Sequence, residues 1–283
     1  MKFAAFILSH GRATSVITFA TLRKQGYDGP IFIVIDNEDI QGDQYREKYG
    51  DQVVVFDKKK YAEATDNYDN FKNYRSTTHV RNAIFDIAKT KGVEAFVMLD
   101  DDYSFFCYKF NRSLKYGDWL HKRSLGTSFL AVVDFLKSCP KITSIAFAQQ
   151  GDFIGGPNGG FSQAVKTKRK TMNSFFCLTA RRFNFVSRLN EDVNTYMTLG
   201  MRGEIFLTIN QISLNQQTTQ ANAGGMTEAY LSSGTYVKSF YTVMAMPSST
   251  KIMPMGWTNP RLHHRISWNN SVPKIIDGSH KKI

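Results

Sequence analysis

Cysteine is scarce. Cys107, Cys139 and Cys177 are the only three in 283 residues, far apart and with no C-x-x-C pair. That pattern offers neither a zinc site nor a disulfide framework, and it fits a reducing compartment. Also lacking is any apolar run long enough to span a membrane. The opening MKFAAFILSHGR carries one early lysine and a short apolar run without a convincing cleavage site, so it is expected to be a first buried strand, with a cytoplasmic location. Neither G-x-G-x-x-G nor G-x-x-x-x-G-K-[ST] occurs, which disfavours a Rossmann dehydrogenase and a P-loop enzyme. There is no internal repeat and no clear linker. One domain over residues 1–283 with an elaborated C-terminal half is the simplest organisation.

What is present is globular. Hydrophobic residues make up 42% and charged residues 21%, and the 22 Phe and 13 Tyr promise a well-filled core. Lys and Arg number 36 against 24 Asp and Glu, a formal charge of +12. This suits a polyanionic partner, either nucleic acid or a phosphorylated small molecule, although a soluble protein can also be basic for no such reason.

Strand-length apolar runs at 3–8, 31–35, 53–56, 93–99, 142–148 and 175–178 alternate with helical patterns at 13–25, 41–49, 76–90, 124–138 and 190–201. Residues 226–246 read as a helix in two pieces divided by Gly234. Residues 57–74 read as a polar loop, and 111–117 as irregular. The alternation predicts an α/β protein with a mostly parallel central sheet flanked by helices.

The stretch VEAFVMLDDDYSFF places Asp100, Asp101 and Asp102 at the end of an apolar strand. Adjacent carboxylates there repel one another and lose hydration, and folding alone gives no reason for them. A divalent cation does, because hard oxygen ligands hold Mg²⁺ or Mn²⁺ and leave positions for phosphates. A solvated acidic turn is the plainer alternative. In an open α/β sheet, ligands sit beyond the carboxyl ends of the strands. The turn Ser9, His10, Gly11 and Arg12 and the pair Asp36-Asn37 end two further strands on that same edge. Arg12 can reach a phosphate, or can be an exposed residue at a helix start. Asp36 can accept from a ribose or base edge, or simply cap a turn. Arg75, Arg81 and Asn82 precede the Asp strand and offer guanidinium forks for a pyrophosphate, unless they form a solvated helix face.

Strand-SHGR, strand-Asp36, the helix carrying Arg81-Asn82-Ala83 and the strand ending in Asp100-Asp101-Asp102 together resemble a GT-A glycosyltransferase, over roughly the first 110 residues. The resemblance implies a nucleotide-sugar-binding half (1–110) and an acceptor-binding half (111–283). Ser9, His10, Gly11, Arg12, Asp36, Arg75, Arg81, Asn82, Asp100 and Asp101 would lie at the nucleotide sugar. Asp100 and Asp102 would form the D-x-D motif, with Asp102 the stronger metal ligand. The family's late acidic motif maps to Asn190-Glu191-Asp192, where Asp192, or Glu191 in its place, would be the base. His263 or His264 would supply the C-terminal metal or diphosphate ligand.

With SHGR, MLDDDYSFF, MNSFF and RLNEDVN, the whole chain is similar to the phage TET/JBP-associated glycosyltransferases. That implies a UDP-sugar donor, Mn²⁺ or Mg²⁺, and 5-hydroxymethylcytosine in DNA as acceptor. It also implies a monomer acting in the host cytoplasm if phage-encoded. The run Lys166, Lys168, Arg169 and Lys170 after a glycine-rich loop is a candidate DNA-phosphate contact. A saccharide or protein acceptor, or a catalytically degenerate nucleic-acid-binding scaffold, remain the competing expectations.

Overall fold

Alternation of buried side chains explains the first layers. In the computed structural model, residues 2–111, 113, 115–121, 124–153, 155–159, 174–216, 226, 234, 236–256 and 260–271 are described. Strand β1 (Phe3–Leu8) is buried throughout. Phe3, Ala5 and Ile7 enter one core, while Ala4, Phe6 and Leu8 enter a second on the other face of the sheet. A strand covered on both faces must be apolar at every position. Up to their terminal aspartates, β2 (Ile31–Asp36) and β4 (Ala95–Asp100) are likewise apolar, and β3 (Val53–Phe56) completes the parallel set.

Helices α1 (Ile17–Lys24) and α2 (Gly42–Tyr49) cover the first face. Helix α4 (Thr77–Thr90) covers the second. Its first turn is capped by the Ser76 hydroxyl, which accepts from the Thr78 amide. Residues 57–74 are not all loop as expected. Asp57 accepts from the Lys60 amide and starts a short helix, α3 (Lys58–Glu63). The expected helix at 13–25 begins only at Ile17, because residues 9–16 are occupied by turns.

The irregular stretch expected after the Asp cluster is smaller than read. Strand β5 (Tyr103–Phe110) runs straight out of it, and β6 (Tyr116–His121) pairs back antiparallel. Then follow α5 (Leu125–Ser138), β7 (Ile142–Gln149), β8 (Ser174–Leu178), α6 (Glu191–Met201) and the long β9 (Ile205–Gln216). Of the expected two-piece helix at 226–246, the described part is α7 (Val237–Ala245). The first piece lies outside the described residues. A separate hairpin, β10 (Thr250–Met255) and β11 (Arg261–Ile266), leads to a final turn, α8 (Trp268–Ser271).

Among the described residues the main sheet has nine strands in the order β3-β2-β1-β4-β8-β7-β9-β5-β6. Tracing the pairings, only β5 and β8 run against the rest, so the sheet is mostly parallel. The carboxyl ends of β1, β2, β3, β4, β7 and β9 therefore share one edge with the starts of β5 and β8. No helix among the described residues is long and apolar enough to cross a membrane.

Candidate active site

The Asp triplet is split between the two faces of the sheet. Asp100 is the last residue of β4, and Asp101 and Asp102 make the turn into β5. Successive side chains on a strand alternate in direction. Asp101 points toward α1 and α2, where it accepts from Arg12 Nη1 at 2.7 Å and from the Ser9 hydroxyl at 2.6 Å. Tyr45 of α2 completes this set, its hydroxyl 2.7 Å from Ser9 Oγ and accepting from the Arg12 amide at 2.9 Å. Ser9, Arg12 and Asp101 thus brace the turn from inside.

Asp100 points the other way, to Arg81 of α4. Arg81 is 1% exposed. Its Nη2 donates to Asp100 Oδ1 at 3.0 Å and its Nε to Glu191 Oε1 at 3.1 Å, while Phe175 and Phe185 lie against the guanidinium. Asp102 has one oxygen, Oδ2, 3.4 Å from Gln216 Nε2. Its other oxygen, Oδ1, is buried without a hydrogen-bond partner. An orphaned buried carboxylate oxygen is costly unless a ligand completes it.

Electrostatics follow from this placement. Burial pushes the Asp100 carboxyl up to about 7. Arg81 works against that, while Asp102, Glu191 and Asp101 add to it. Burial, reinforced by the Asp101 charge, raises Asp102 to about 6. Burial also raises Asp101, with Arg12 pulling against it. Arg81 itself is held charged by Asp100 and Glu191 against its desolvation. The edge carries more negative charge than its own cations satisfy, which is the condition a bound cation relieves.

Asp36 closes the second strand. It is 2.7 Å from His10 Nδ1 and 3.2 Å from Lys58 Nζ, and its Oδ1 accepts from the Glu38 amide. Burial alone would raise this carboxyl; the His10 hydrogen bond and the two neighbouring cations outweigh it and leave it lowered. His10 is correspondingly raised, chiefly by that hydrogen bond. The Gly11 amide donates to Asp39 Oδ2 at 2.8 Å, with Gly11 at φ 66°, a left-handed conformation that glycine adopts freely.

Asn82 and Arg75 lie on and just ahead of α4. Asn82 exchanges hydrogen bonds with the backbone of Phe185 and so pins the segment leading into α6. Arg75 is exposed just ahead of α4, its amide donating to Asn73.

The start of α6 joins the cluster through Arg81. Glu191 is buried, bound by Arg81 and by the Thr77 hydroxyl at 2.6 Å. Asp192 is more open, its Oδ1 accepting from the Val193 amide at 2.8 Å. Asn190, in the left-handed region at φ 57°, lies 3.3 Å from His264 Nδ1. His263 stacks on His264, with ring centroids 4.2 Å apart. Among the described residues no group of three or more His, Cys, Asp or Glu is gathered to hold an ion. Lys166, Lys168, Arg169 and Lys170 lie outside the described residues. Lys58, Tyr45, Thr77 and Gln216 went unread in the sequence.

A mostly parallel central sheet flanked by helices, with Asp36 and Asp100 closing two of its parallel strands and an acidic helix start following an antiparallel strand, is a GT-A type glycosyltransferase fold. The chain belongs to the TET-associated glycosyltransferase family, whose model matches residues 3–225.

Among solved structures, S. aureus TarS 1–349 in complex with UDP-GlcNAc is 14% identical with a TM-score of 0.50, over 88% of this chain and 67% of that one. Glucosyl-3-phosphoglycerate synthase from Mycobacterium tuberculosis, in complex with Mn²⁺, UDP and phosphoglyceric acid, is 8% identical with a TM-score of 0.46, over 94% and 87%. Another S. aureus TarS structure is 14% identical with a TM-score of 0.47, matched over 77% of this chain but only 37% of its own. The present chain thus spans little more than a third of that TarS. Among curated proteins, none matches this chain.

Proposed function

We propose that the protein transfers a sugar, glucose or a pentose such as arabinose, from a UDP-sugar to 5-hydroxymethylcytosine in DNA, and that it needs Mn²⁺ or Mg²⁺. The observation that carries this reading is the placement of Asp36, Asp100 and Asp102 at the ends of neighbouring strands on one sheet edge, with Arg81 tying Asp100 to Glu191 at the start of α6. The metal fits the residues present. Asp102 Oδ1 is buried and unpaired, and two carboxylates completed by substrate phosphates are a common Mg²⁺-type donor set. When bound, the ion would supply Lewis-acid stabilisation of the departing diphosphate.

The chain's own residues divide the rest. Asp36, set by His10 and Lys58, accepts from the nucleoside. Asp102 is the principal metal ligand, and Asp100 holds the ribose or supports the ion. Arg81 opposes the protonation of Asp100 and holds its carboxylate in place, and through Glu191 it fixes the start of α6. Asp192, the more open of the two acids there, takes the proton of the attacking hydroxyl if the reaction inverts. Residues 1–110 then form the donor half and 111–283 the acceptor half. Lys166, Lys168, Arg169 and Lys170 would reach acceptor phosphates, since the ends of β7 and β8 that flank their segment both stand on the site edge.

The test is incubation with Mn²⁺, a panel of UDP-sugars and hydroxymethylcytosine DNA, followed by mass analysis of the nucleosides. A hexose or pentose added to the modified base is expected. Turnover on free saccharides with none on DNA would overturn the acceptor assignment.

A further inference from the structure

The hairpin β10–β11 lies beyond the residues matched by the family model, which end at 225. Its register places Lys251 opposite Arg265, Met253 opposite His263 and Met255 opposite Arg261. These six share one face. Lys251, Met253, Met255, Arg261 and Arg265 are exposed and His263 is half-buried. The other face carries the buried Thr250 and His264, and the hairpin packs against α7. Like charges directly opposite across a strand pair are destabilising, so the Lys251–Arg265 pair has no folding rationale. The surrounding chain deepens the bias, with no aspartate or glutamate between Glu228 and Asp277.

The ribbon is rooted at the candidate active site. His264 reaches Asn190, the residue before Glu191 and Asp192, and Trp268 just beyond β11 stacks edge-on against Tyr196 of α6 at 5.6 Å. A two-stranded ribbon is narrow enough for the major groove of B-form DNA, the groove that displays the C5 substituent of a pyrimidine.

We propose that the outward face of the β10–β11 ribbon is a docking surface for the acceptor DNA duplex, with Lys251, Arg261 and Arg265 contacting its phosphates. This rests on the DNA-acceptor reading above and assigns the contact to a part of the chain that reading did not use. Three cations neutralising three phosphates contribute a slope of about −2.7 to log Kobs against log salt.

The test is fluorescence anisotropy of the full chain with a hydroxymethylcytosine duplex of about 20 base pairs, between roughly 50 and 200 mM salt. The combined variant Lys251→Gln, Arg261→Gln, Arg265→Gln is expected to lose at least about tenfold in affinity at the low-salt end and to flatten the slope by about 2 to 3. Its DNA-independent hydrolysis of UDP-sugar should stay unchanged. Lys251→Arg, Arg261→Lys, Arg265→Lys should keep the wild-type slope. Lys24→Gln, Lys89→Gln, Lys91→Gln, which removes equal charge near the opposite edge of the sheet, should also keep it. If wild type binds and the ribbon variant matches it, or the control loses as much, the ribbon assignment is overturned and the acceptor reading stands. If wild type itself does not bind duplex DNA, both fall.

Discussion

Replacing Arg81 by methionine is the most revealing single perturbation of the site. The side chain is buried between Phe175 and Phe185, and methionine can fill that apolar slot. What it cannot do is face Asp100 and Glu191, both of which lose their cation. Removing one partner of a buried ion pair costs about 3–5 kcal/mol, because the remaining charge is left uncompensated. Asp100 moderates the loss. Its carboxyl already sits at about 7 with Arg81 present, so without Arg81 it takes up a proton near neutral pH. The lower end of the range, about 3 kcal/mol, is therefore expected at pH 7. The loss grows as pH rises, since an acid whose folded pKa lies above its unfolded value stabilises the fold less once both forms ionise. Against a total stability of about 5–15 kcal/mol the variant still folds. With a urea slope of about 3 kcal/mol per molar, its midpoint falls by about 1 M.

The decisive comparison is the triple variant Arg81→Met, Asp100→Asn, Glu191→Gln. It removes charge from all three positions together and should recover to near wild-type stability, because replacing a whole buried ionic cluster by neutral groups is often neutral or stabilising. Urea unfolding followed by circular dichroism measures both. A single variant as stable as wild type, or a triple variant no better than the single, would refute the assignment of Arg81 as the cation that offsets these two acids.

Other outcomes follow from the same geometry. Asp102→Asn should abolish Mn²⁺-dependent donor turnover, by more than about 10²-fold, while leaving the melting temperature within a few degrees; metal titration with UDP-sugar hydrolysis as readout checks it. Asp192→Asn should lower kcat by about 10²–10⁴-fold with donor KM little changed, whereas Glu191→Gln should disturb stability as well, since Glu191 is bound by Arg81 and Thr77. His10 should titrate above its ordinary 6.5 by NMR and fall back toward it in Asp36→Asn. The stabilisation from that pair is full below 6.5 and is lost as pH rises through the raised value, so the wild-type advantage over Asp36→Asn should shrink at alkaline pH.

The first strands were legible in the sequence because burial on both faces writes a continuous apolar run. β1, β2 and β4 read directly as strands, and Asp36 and Asp100–Asp102 stood visibly at their ends. Strand β9 did not announce itself. Thr208, Asn210 and Ser213 are buried within it, so its polar residues look like loop until β7 and β5 are seen on either side. Arg81 and Glu191 could each be singled out, but their contact spans 110 residues and no local spacing encodes it. The same distance hides the difference between Glu191 and Asp192. Adjacent acids at a helix start look interchangeable, and only the tertiary partner shows that one is bound and the other open. The pairing of Asn82 with the backbone of Phe185 is hidden in the same way, spanning 103 residues.

The reversed direction of β8 has a consequence for how such a protein can change. β7 leaves the sheet at the site edge and β8 re-enters it there, so the chain between Gln149 and Ser174 has both feet on the same rim. A segment anchored this way can be lengthened, shortened or recharged without shifting a single strand register. Doubling its length costs only about 0.6 kcal/mol in closure entropy. The parallel strands β1 to β4 would be untouched by such edits.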